Sequence, residues 1–146
     1  MSKKRFMLRA AVYLMPLKDN QILLSRRFNT GWMDGKYSLI AGHLDGNESV
    51  VDSMIRESYE EAGLTIDSQD LIPATVLHRF SPDQEYIDFF FAAKKWQGEP
   101  RIMEPDKCDE MSWYPLDELP NEILPYIVEA INNYQLKIPF WESGWK

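Results

Sequence analysis

Three glutamates and an arginine stand close together in the segment Arg56-Glu57-Ser58-Tyr59-Glu60-Glu61. If the segment is helical, positions three and four apart are neighbours, so Glu57, Glu60 and Glu61 lie within about one turn. Like charges at that spacing repel, and the helix dipole disfavours anions near a C-terminus. A divalent cation would offset both effects, and Mg²⁺ prefers a few carboxylates with water and phosphate oxygens. Taken alone, the segment also fits a solvated acidic face, so its surroundings must decide between the two interpretations.

A helix over residues 48–62 is predicted to carry these glutamates. Asn47 or Glu48 occupies the expected N-cap position, and Gly63 occupies the position of a left-handed C-cap. At about 100° per residue, an apolar stripe forms on a face that excludes the three glutamates. Its members are Val51, Met54, Ile55, Ser58 and Ala62. The helix is therefore expected to bury one face and to present its carboxylates on another.

The glutamates belong to a longer pattern of fixed spacing. It consists of Gly42, five residues, Glu48, seven residues, Arg56-Glu57, two residues, Glu60-Glu61, and then Gly63-Leu64 after one alanine. This pattern resembles the Nudix box, a loop-helix-loop signature of glycine, glutamate, arginine with three glutamates, and glycine with an aliphatic residue. Every charged and glycine position of the signature is filled, which favours the metal site over a solvated acidic face.

Two positions depart from the family pattern. Ser58 stands where the family has an aliphatic residue, and Ile40-Ala41-Gly42 stands where it often has Pro-Gly-Gly. Because Ser58 lies on the apolar stripe, we expect tight packing there, with its hydroxyl bonded to a carbonyl one turn earlier. Neither departure removes a residue that the resemblance places at the metal.

The resemblance implies a hydrolase that cleaves the diphosphate linkage of nucleotide substrates with Mg²⁺, for which Mn²⁺ can substitute. Glu57 and Glu61 match the principal metal-binding carboxylates of the family, and Glu60 matches the third. The carbonyl of Gly42 is expected to join the metal shell. Such ions act as Lewis acids and as a template for the displacement.

The same resemblance assigns further catalytic roles. Glu48 and Arg56 match a pair that bridges the loop to the helix and orients the cluster, although an ordinary structural ion pair fits them nearly as well. A glutamate should take the proton of the attacking water. The candidates for this base are Glu60 and Glu61 of the box and Glu104 and Glu110 of a later loop. For Glu104 and Glu110, ordinary surface acidity is the favoured interpretation.

The region of resemblance runs from about residue 8 to 134 and includes the segments 31–37 and 98–120. The segment 98–120 resembles the corresponding region of a MutT-like subgroup that includes nucleoside triphosphate diphosphatases. The expected reaction converts a nucleoside triphosphate to a monophosphate and pyrophosphate. The alternatives are hydrolysis of a nucleoside diphosphate linked to a sugar or cofactor and, less favoured, a non-catalytic nucleotide-binding module.

Substrate contacts are predicted from position in the chain. Arg26 and Arg27 end a strand near the presumed cleft and are candidates for phosphate binding, with a solvated strand end as the alternative. His43 follows Gly42 directly and is a third candidate for the substrate phosphate. The base could stack on an aromatic ring, for which core packing is the competing interpretation. The aromatic candidates are Trp32, Tyr37, Phe90 and Trp113.

The order of elements predicts an α+β fold, an α/β/α sandwich with a mixed β-sheet between helices. Helices are expected over 48–62 and 121–134, and a single domain is expected over residues 1–146. A turn or 3₁₀ segment is predicted at 115–120. Strands are expected over 6–17, 21–27, 37–41, 71–80, 85–96 and 111–114.

Charge and composition narrow the classes of partner. The net charge of -7 disfavours nucleic acid, because positive charges cluster only at Lys3-Lys4-Arg5 and Arg26-Arg27. No stretch approaches the ~20 apolar residues of a membrane span, and Arg9 interrupts any signal-like segment, so a cytoplasmic location is expected. A single cysteine, Cys108, excludes an intrachain disulfide. The aromatic tail of residues 137–146 fits a homodimer interface and equally fits packing within the domain.

Overall fold

The computed structural model describes residues 4–145. Residues 1–3 and 146 lie outside the described part. They belong to the predicted domain of residues 1–146, to the basic N-terminal cluster and to the aromatic tail. Within residues 4–145 the chain forms eight β-strands and two α-helices. They are β1 (Arg9–Lys18), β2 (Gln21–Arg27), β3 (Tyr37–Ser38), β4 (Ile40–His43), α1 (Val50–Ala62), β5 (Ile72–Ser81), β6 (Gln84–Ala93), β7 (Cys108–Pro115), α2 (Pro125–Gln135) and β8 (Phe140–Ser143).

The sheet is mixed, as predicted. The central strand β1 runs parallel to β6 and antiparallel to β4. Beyond β6 the sheet continues with β5, which is antiparallel, and then β8, which is parallel to β5 at the edge. Strand β2 joins β1 only at their shared hairpin and pairs instead with β3 and β7.

The two helices cover opposite faces of this sheet. Side chains alternate along β1, so Tyr13 and Met15 face the core beneath α2, whereas Val12 and Leu14 face the core beneath α1. Val12 and Leu14 are fully buried, and burial of such a side chain contributes about 1.5–3 kcal/mol. The predicted α+β class and α/β/α sandwich are confirmed.

Helix α1 begins later than predicted. Its N-cap is Ser49, whose Oγ accepts a hydrogen bond from the backbone N–H of Asp52 over 3.0 Å. Asn47 instead has a positive φ of 57° in the preceding turn. The carboxylate of Glu48 is bonded to Arg56, so it does not cap the helix. The predicted cap at residue 47 or 48 was therefore wrong.

The C-terminal half of α1 follows the prediction closely. Gly63 adopts the left-handed conformation, with φ of 69°, and its backbone N–H donates to the carbonyl of Tyr59 over 2.9 Å. Ser58 is fully buried, and its hydroxyl donates to the carbonyl of Met54 over 2.7 Å. A small hydroxyl residue thus fits the helix-to-sheet contact without leaving a polar group unpaired.

Other element boundaries differ because of pairing between distant segments. The backbone N–H of Tyr37 donates to the carbonyl of Glu122, and the N–H of Leu124 donates to the carbonyl of Tyr37. These bonds pair Ile123 with Tyr37 in an isolated β-bridge, so α2 begins at Pro125 and not at residue 121. Strand β4 continues to His43, two residues beyond the end of the predicted strand 37–41.

The C-terminal tail packs within the chain. Strand β8 lies alongside β5, and Trp141 is partly buried against the core beneath α2. Trp145 Nε1 donates to the carbonyl of His78, and its ring lies 4.8 Å from that of Phe80. Neither α1 nor α2, the helices of residues 4–145, has the length and apolar character that a membrane-spanning helix requires.

Candidate active site

Two of the three box glutamates point from α1 onto the backbone of β4. Glu61 Oε1 accepts a hydrogen bond from the backbone N–H of Ala41 over 3.1 Å. Glu57 packs against Gly42 so closely that a Cβ at position 42 would lie 1.3 Å from Glu57 Oε2. The glycine of the box is therefore required for space, because any side chain would displace the carboxylate.

Gly42→Ala is accordingly expected to lower kcat/KM by roughly 10²-fold, because the methyl group pushes the Glu57 carboxylate away by an ångström or more. The fold should survive, since Gly42 does not have a positive φ. Steady-state kinetics and the thermal unfolding midpoint of the same preparation check this expectation. Near wild-type kcat/KM in a folded Gly42→Ala protein would contradict it.

Burial disfavours the ionised form of both Glu57 and Glu61. Burial raises the pKa of Glu57 to about 7, while Arg56 opposes the increase and Glu60 adds to it. Burial also raises the pKa of Glu61 to about 8, although the N–H of Ala41 opposes it. The Glu57 side chain is only 13% exposed. A bound cation would stabilise the ionised form of both carboxylates.

Arg56 ties the loop before α1 to the helix. Its Nε and Nη2 donate to the two carboxylate oxygens of Glu48 over 3.1 and 2.8 Å, and Nη1 donates to Glu60 over 2.9 Å. The hydrogen bonds from Arg56 lower the pKa of Glu48 to about 2, and the backbone N–H of Asp45 contributes to this effect. The predicted bridge between loop and helix is thus present in the geometry.

Glu60 lies at the exposed rim of the site, although it is still close enough to Glu57 to raise the pKa of that carboxyl. Its side chain is 47% exposed and is held by Arg56, whereas Glu57 and Glu61 face β4. In this conformation, no group of three or more His, Cys, Asp or Glu side chains within residues 4–145 is arranged to hold a metal ion. The site therefore offers two buried carboxylates, with the third on the rim.

The donor set nevertheless fits a hard divalent cation. Two carboxylates with raised pKa lie on the backbone of β4, where Glu61 is bonded to the N–H of Ala41 and Glu57 packs against Gly42. Oxygen ligands of this kind are those that Mg²⁺ takes, together with water and substrate oxygens. A shift of Glu60 from Arg56 would supply a third carboxylate.

The loop after β6 brings one further acid to this place. The backbone N–H groups of Arg101 and Met103 donate to the carbonyls of Ala62 and Glu61 at the end of α1. This contact positions Glu104, whose charge raises the pKa of both Glu57 and Glu61. Of the two later-loop candidates, Glu104 is therefore close to the box glutamates.

Glu110 is engaged elsewhere. Its Oε2 accepts hydrogen bonds from the hydroxyls of Tyr114, Tyr37 and Ser112 over 2.8, 2.9 and 3.3 Å. The hydrogen bonds from Tyr114 and Tyr37 lower the pKa of this carboxyl below its ordinary value. A carboxylate stabilised in this way is a poor proton acceptor, so its role is to fix β7 against β3.

A cleft of about 500 Å³ opens beside Gly42 between β1, β5, β6 and α2. Of the predicted phosphate-binding residues, Arg27 and His43 line it. Arg26 lies outside this lining and forms a two-bond ion pair with Asp109, at 2.8 and 3.1 Å. The structure thus separates the adjacent arginines, which point to opposite sides because they are neighbours in a strand.

One aromatic candidate reaches the cleft. Trp32 is 45% exposed and lines it, and the Arg27 guanidinium lies 4.9 Å from its ring centroid. Arg27 Nε also donates to the carbonyl of Trp32 over 2.7 Å. Tyr37 and Phe90 are buried in the core. Trp113 stacks with Trp96 and packs against the core beneath α1.

Four further residues of the cleft region were missed in the sequence: Arg79, Tyr86, Asp88 and Tyr126. Three of them line the cleft, and Asp88 lies buried against Arg79. A signal for one of them existed, because Asp88 interrupts the apolar run Ile87–Ala93. A lone charge in a buried strand needs a partner.

A mixed sheet between two helices, with buried glutamates of the box turned onto a glycine of β4, defines a hydrolase of the Nudix type. Residues 7–133 match the family described as the NUDIX domain. The chain belongs to this family and is a MutT-like Nudix hydrolase. Nudix hydrolases generally use divalent metal ions.

Known proteins similar to this chain include two curated relatives. This chain is 27% identical over 124 residues to the 8-oxo-dGTP diphosphatase of Escherichia coli (strain K12), and the match covers 84% of this chain and 95% of the relative. The chain is also 30% identical over 99 residues to the 8-oxo-dGTP diphosphatase of Proteus vulgaris, and this match covers 68% of this chain and 85% of the relative. The crystal structure of a MutT NUDIX hydrolase from Burkholderia pseudomallei superposes with a TM-score of 0.80 at 25% identity, over 87% of this chain and 98% of the other.

Proposed function

We propose that this hydrolase converts nucleoside triphosphates to a monophosphate and pyrophosphate, with Mg²⁺ as the cation and Mn²⁺ as a substitute. The observation that carries the proposal is the pair of buried glutamates, Glu57 and Glu61, facing Gly42 at the end of the cleft. The curated relatives, whose names give a nucleoside triphosphate as substrate, support it.

The cation would be held by Glu57, Glu61, the carbonyl of Gly42 and, after leaving Arg56, Glu60. When bound, it supplies Lewis acidity and charge neutralisation for the diphosphate. Arg56 and Glu48 hold the loop 43–48 against α1 and so fix the direction of the glutamates. The chain's own groups then orient the substrate and accept the proton.

Glu104 is the residue that we assign as the general base. It lies close enough to Glu57 and Glu61 to raise the pKa of both, and backbone bonds to the end of α1 hold its loop in place. In the reaction, water forms a bond to phosphorus, its proton passes to the Glu104 carboxylate, and the P–O bond to the pyrophosphate breaks.

The cleft suits an anionic substrate with an aromatic base. Among residues 4–145 its lining includes the guanidinium of Arg27 and no carboxylate, which favours phosphates in a protein of otherwise negative charge. The exposed ring of Trp32, held by Arg27, offers a platform on which a base can stack. We assign the phosphate contacts to Arg27 and His43.

A substrate panel with Mg²⁺ tests the proposal. Nucleoside triphosphates, nucleoside diphosphate sugars and dinucleotides are incubated with the enzyme, and pyrophosphate and orthophosphate are measured separately. Triphosphates should yield monophosphate and pyrophosphate, and the Glu57→Gln protein purified in parallel should yield neither. Preference for a diphosphate linked to a sugar or cofactor, or release of orthophosphate from triphosphates, would overturn the proposal.

A further inference from the structure

Arg79 and Asp88 form an ion pair in the cleft wall that the cleavage chemistry at Glu57 and Glu61 does not use. Arg79 Nε donates to Asp88 Oδ2 over 2.7 Å, and Nη2 donates to Oδ1 over 3.3 Å. Asp88 is fully buried on a face of β6 that otherwise carries apolar residues. A buried ion pair is weak evidence for stability, because the desolvation of both charges offsets their attraction. Its position at a substrate cleft therefore favours a role in binding.

Two aromatic rings lie against the Arg79 guanidinium. Its Cζ is 4.4 Å from the ring centroid of Tyr86 and 4.8 Å from that of Tyr126. Together with the two bonds to Asp88, these contacts fix the plane of the guanidinium. Because Asp88 takes the edge formed by Nε and Nη2, the edge that remains for a ligand is formed by Nη1 and Nη2.

That remaining edge has little to bond to within the protein. Among residues 4–145, Nη1 has no hydrogen-bond acceptor, and the other contact of Nη2 is a long one of 3.5 Å to the Tyr13 hydroxyl. The Arg79 side chain is 18% exposed, and Arg79 and Tyr13 both line the cleft. A planar group with two adjacent acceptors would match this pair of donors.

The position of Arg79 places it at the base rather than at the phosphates. The ring of His43, next to Gly42, stacks on Tyr86 at 5.7 Å, and Tyr86 in turn lies against Arg79. Arg79 is thus one side chain further from the box than His43. With the phosphates at His43 and Arg27, beside Gly42, we place the nucleoside end of the substrate toward Arg79.

We propose that Arg79 selects the base of the substrate by donating two hydrogen bonds to O6 and N7 of a guanine-type ring. The inference rests on the proposed hydrolysis of nucleoside triphosphates and names its preferred bases. Arginine pairs in this two-bond manner with the O6 and N7 acceptors of guanine. Adenine presents an amino group in place of O6, so an N–H donor of the base would face an N–H donor of Arg79.

Five substrates test this selection. GTP and ITP share O6 and N7, so both should exceed ATP in kcat/KM by roughly 10- to 100-fold, the discrimination of one good two-bond pair. The 8-oxo form of guanine carries a hydrogen on N7 and so loses one of the two acceptors. Consequently 8-oxo-dGTP should be a poorer substrate than dGTP.

Paired variants separate selection from folding. Arg79→Met combined with Asp88→Leu removes both charges, so no unpaired charge remains buried, and the GTP to ATP ratio should fall close to one. Arg79→Lys keeps the charge for Asp88 but lacks the planar pair of donors, and should lower the ratio as well. Trp32→Ala is the matched control, because loss of stacking weakens all bases alike and leaves the ratio unchanged.

Calorimetry with GMP and AMP on the metal-free protein gives a second readout that does not depend on turnover. Tighter binding of GMP by the wild type, lost in both Arg79 variants and kept in Trp32→Ala, supports the inference. Hydrolysis of GTP and ATP with equal kcat/KM, or an unchanged ratio in the folded Arg79 variants, overturns this inference alone. No hydrolysis of any triphosphate overturns the proposed function and this inference with it.

Discussion

Glu57→Gln and Glu61→Gln should each lower kcat/KM by roughly 10³-fold, the largest losses expected for single substitutions in this chain. Glutamine keeps the shape of the side chain but removes the negative charge that a divalent cation requires. Both side chains lie on the β4 backbone beside the cleft, so neither can be replaced by a surface carboxylate. Steady-state kinetics with Mg²⁺ measures the loss.

The same substitutions should not weaken the metal-free fold. Burial raises the pKa of both carboxyls, so above these pKa values the wild-type protein holds two ionised groups in a site that disfavours charge. At about pH 9, the free energy of unfolding of Glu61→Gln is therefore expected to exceed that of the metal-free wild type by roughly a few kcal/mol. The variant should accordingly unfold at a higher temperature. Thermal unfolding with a chelator measures this difference.

Asp52→Asn is the matched control, since Asp52 is an exposed acid on the same helix. Its kcat/KM should stay within about two-fold of the wild type, because surface substitutions away from special contacts have small effects. If Glu57→Gln and Glu61→Gln retained turnover comparable to that of Asp52→Asn, the assignment of the metal site would be wrong.

Much of the fold was predictable because local and long-range signals agree in it. The apolar stripe of α1, its glycine C-cap and the buried hydroxyl of Ser58 all follow from spacing along one helix. The alternation of strands and helices predicted the mixed sheet, and the fixed spacing of the box predicted the family. These features depend on residues near each other in the sequence, for which periodicity carries the information.

The cleft was less predictable because its walls come from distant segments. Tyr13 and Tyr126, whose hydroxyls lie 3.0 Å apart, are separated by 113 positions. Arg26 and Arg27 look equivalent in sequence, yet one pairs with Asp109 and the other faces the cleft. Spacing along the helix predicted one acidic face, but it could not show that Arg56 would bind Glu60 at the rim while Glu57 and Glu61 turn onto β4.

Stabilisation of the protein by Mg²⁺ should increase with pH. The pKa values of Glu57 and Glu61 in the fold, about 7 and about 8, lie above the value of about 4.5 that a free glutamate has. The stability that these groups contribute is therefore fully present below about pH 4.5 and is lost as pH rises through 7 and 8. Over the same pH range the carboxyls of Glu57 and Glu61 become ionised and available to the cation.

At about pH 9, saturating Mg²⁺ should raise the unfolding midpoint by roughly 5–10 °C, which corresponds to about 2.7 kcal/mol at a concentration 100 times Kd. At about pH 6 the shift should be small, because protons occupy both carboxyls and compete with the cation. Calorimetric scans with and without Mg²⁺, at matched ionic strength in NaCl, measure the difference at each pH. Glu61→Gln should lose most of the pH dependence. A shift that is equal at both pH values, or larger at the lower one, would mean that the cation binds somewhere other than these two buried carboxylates.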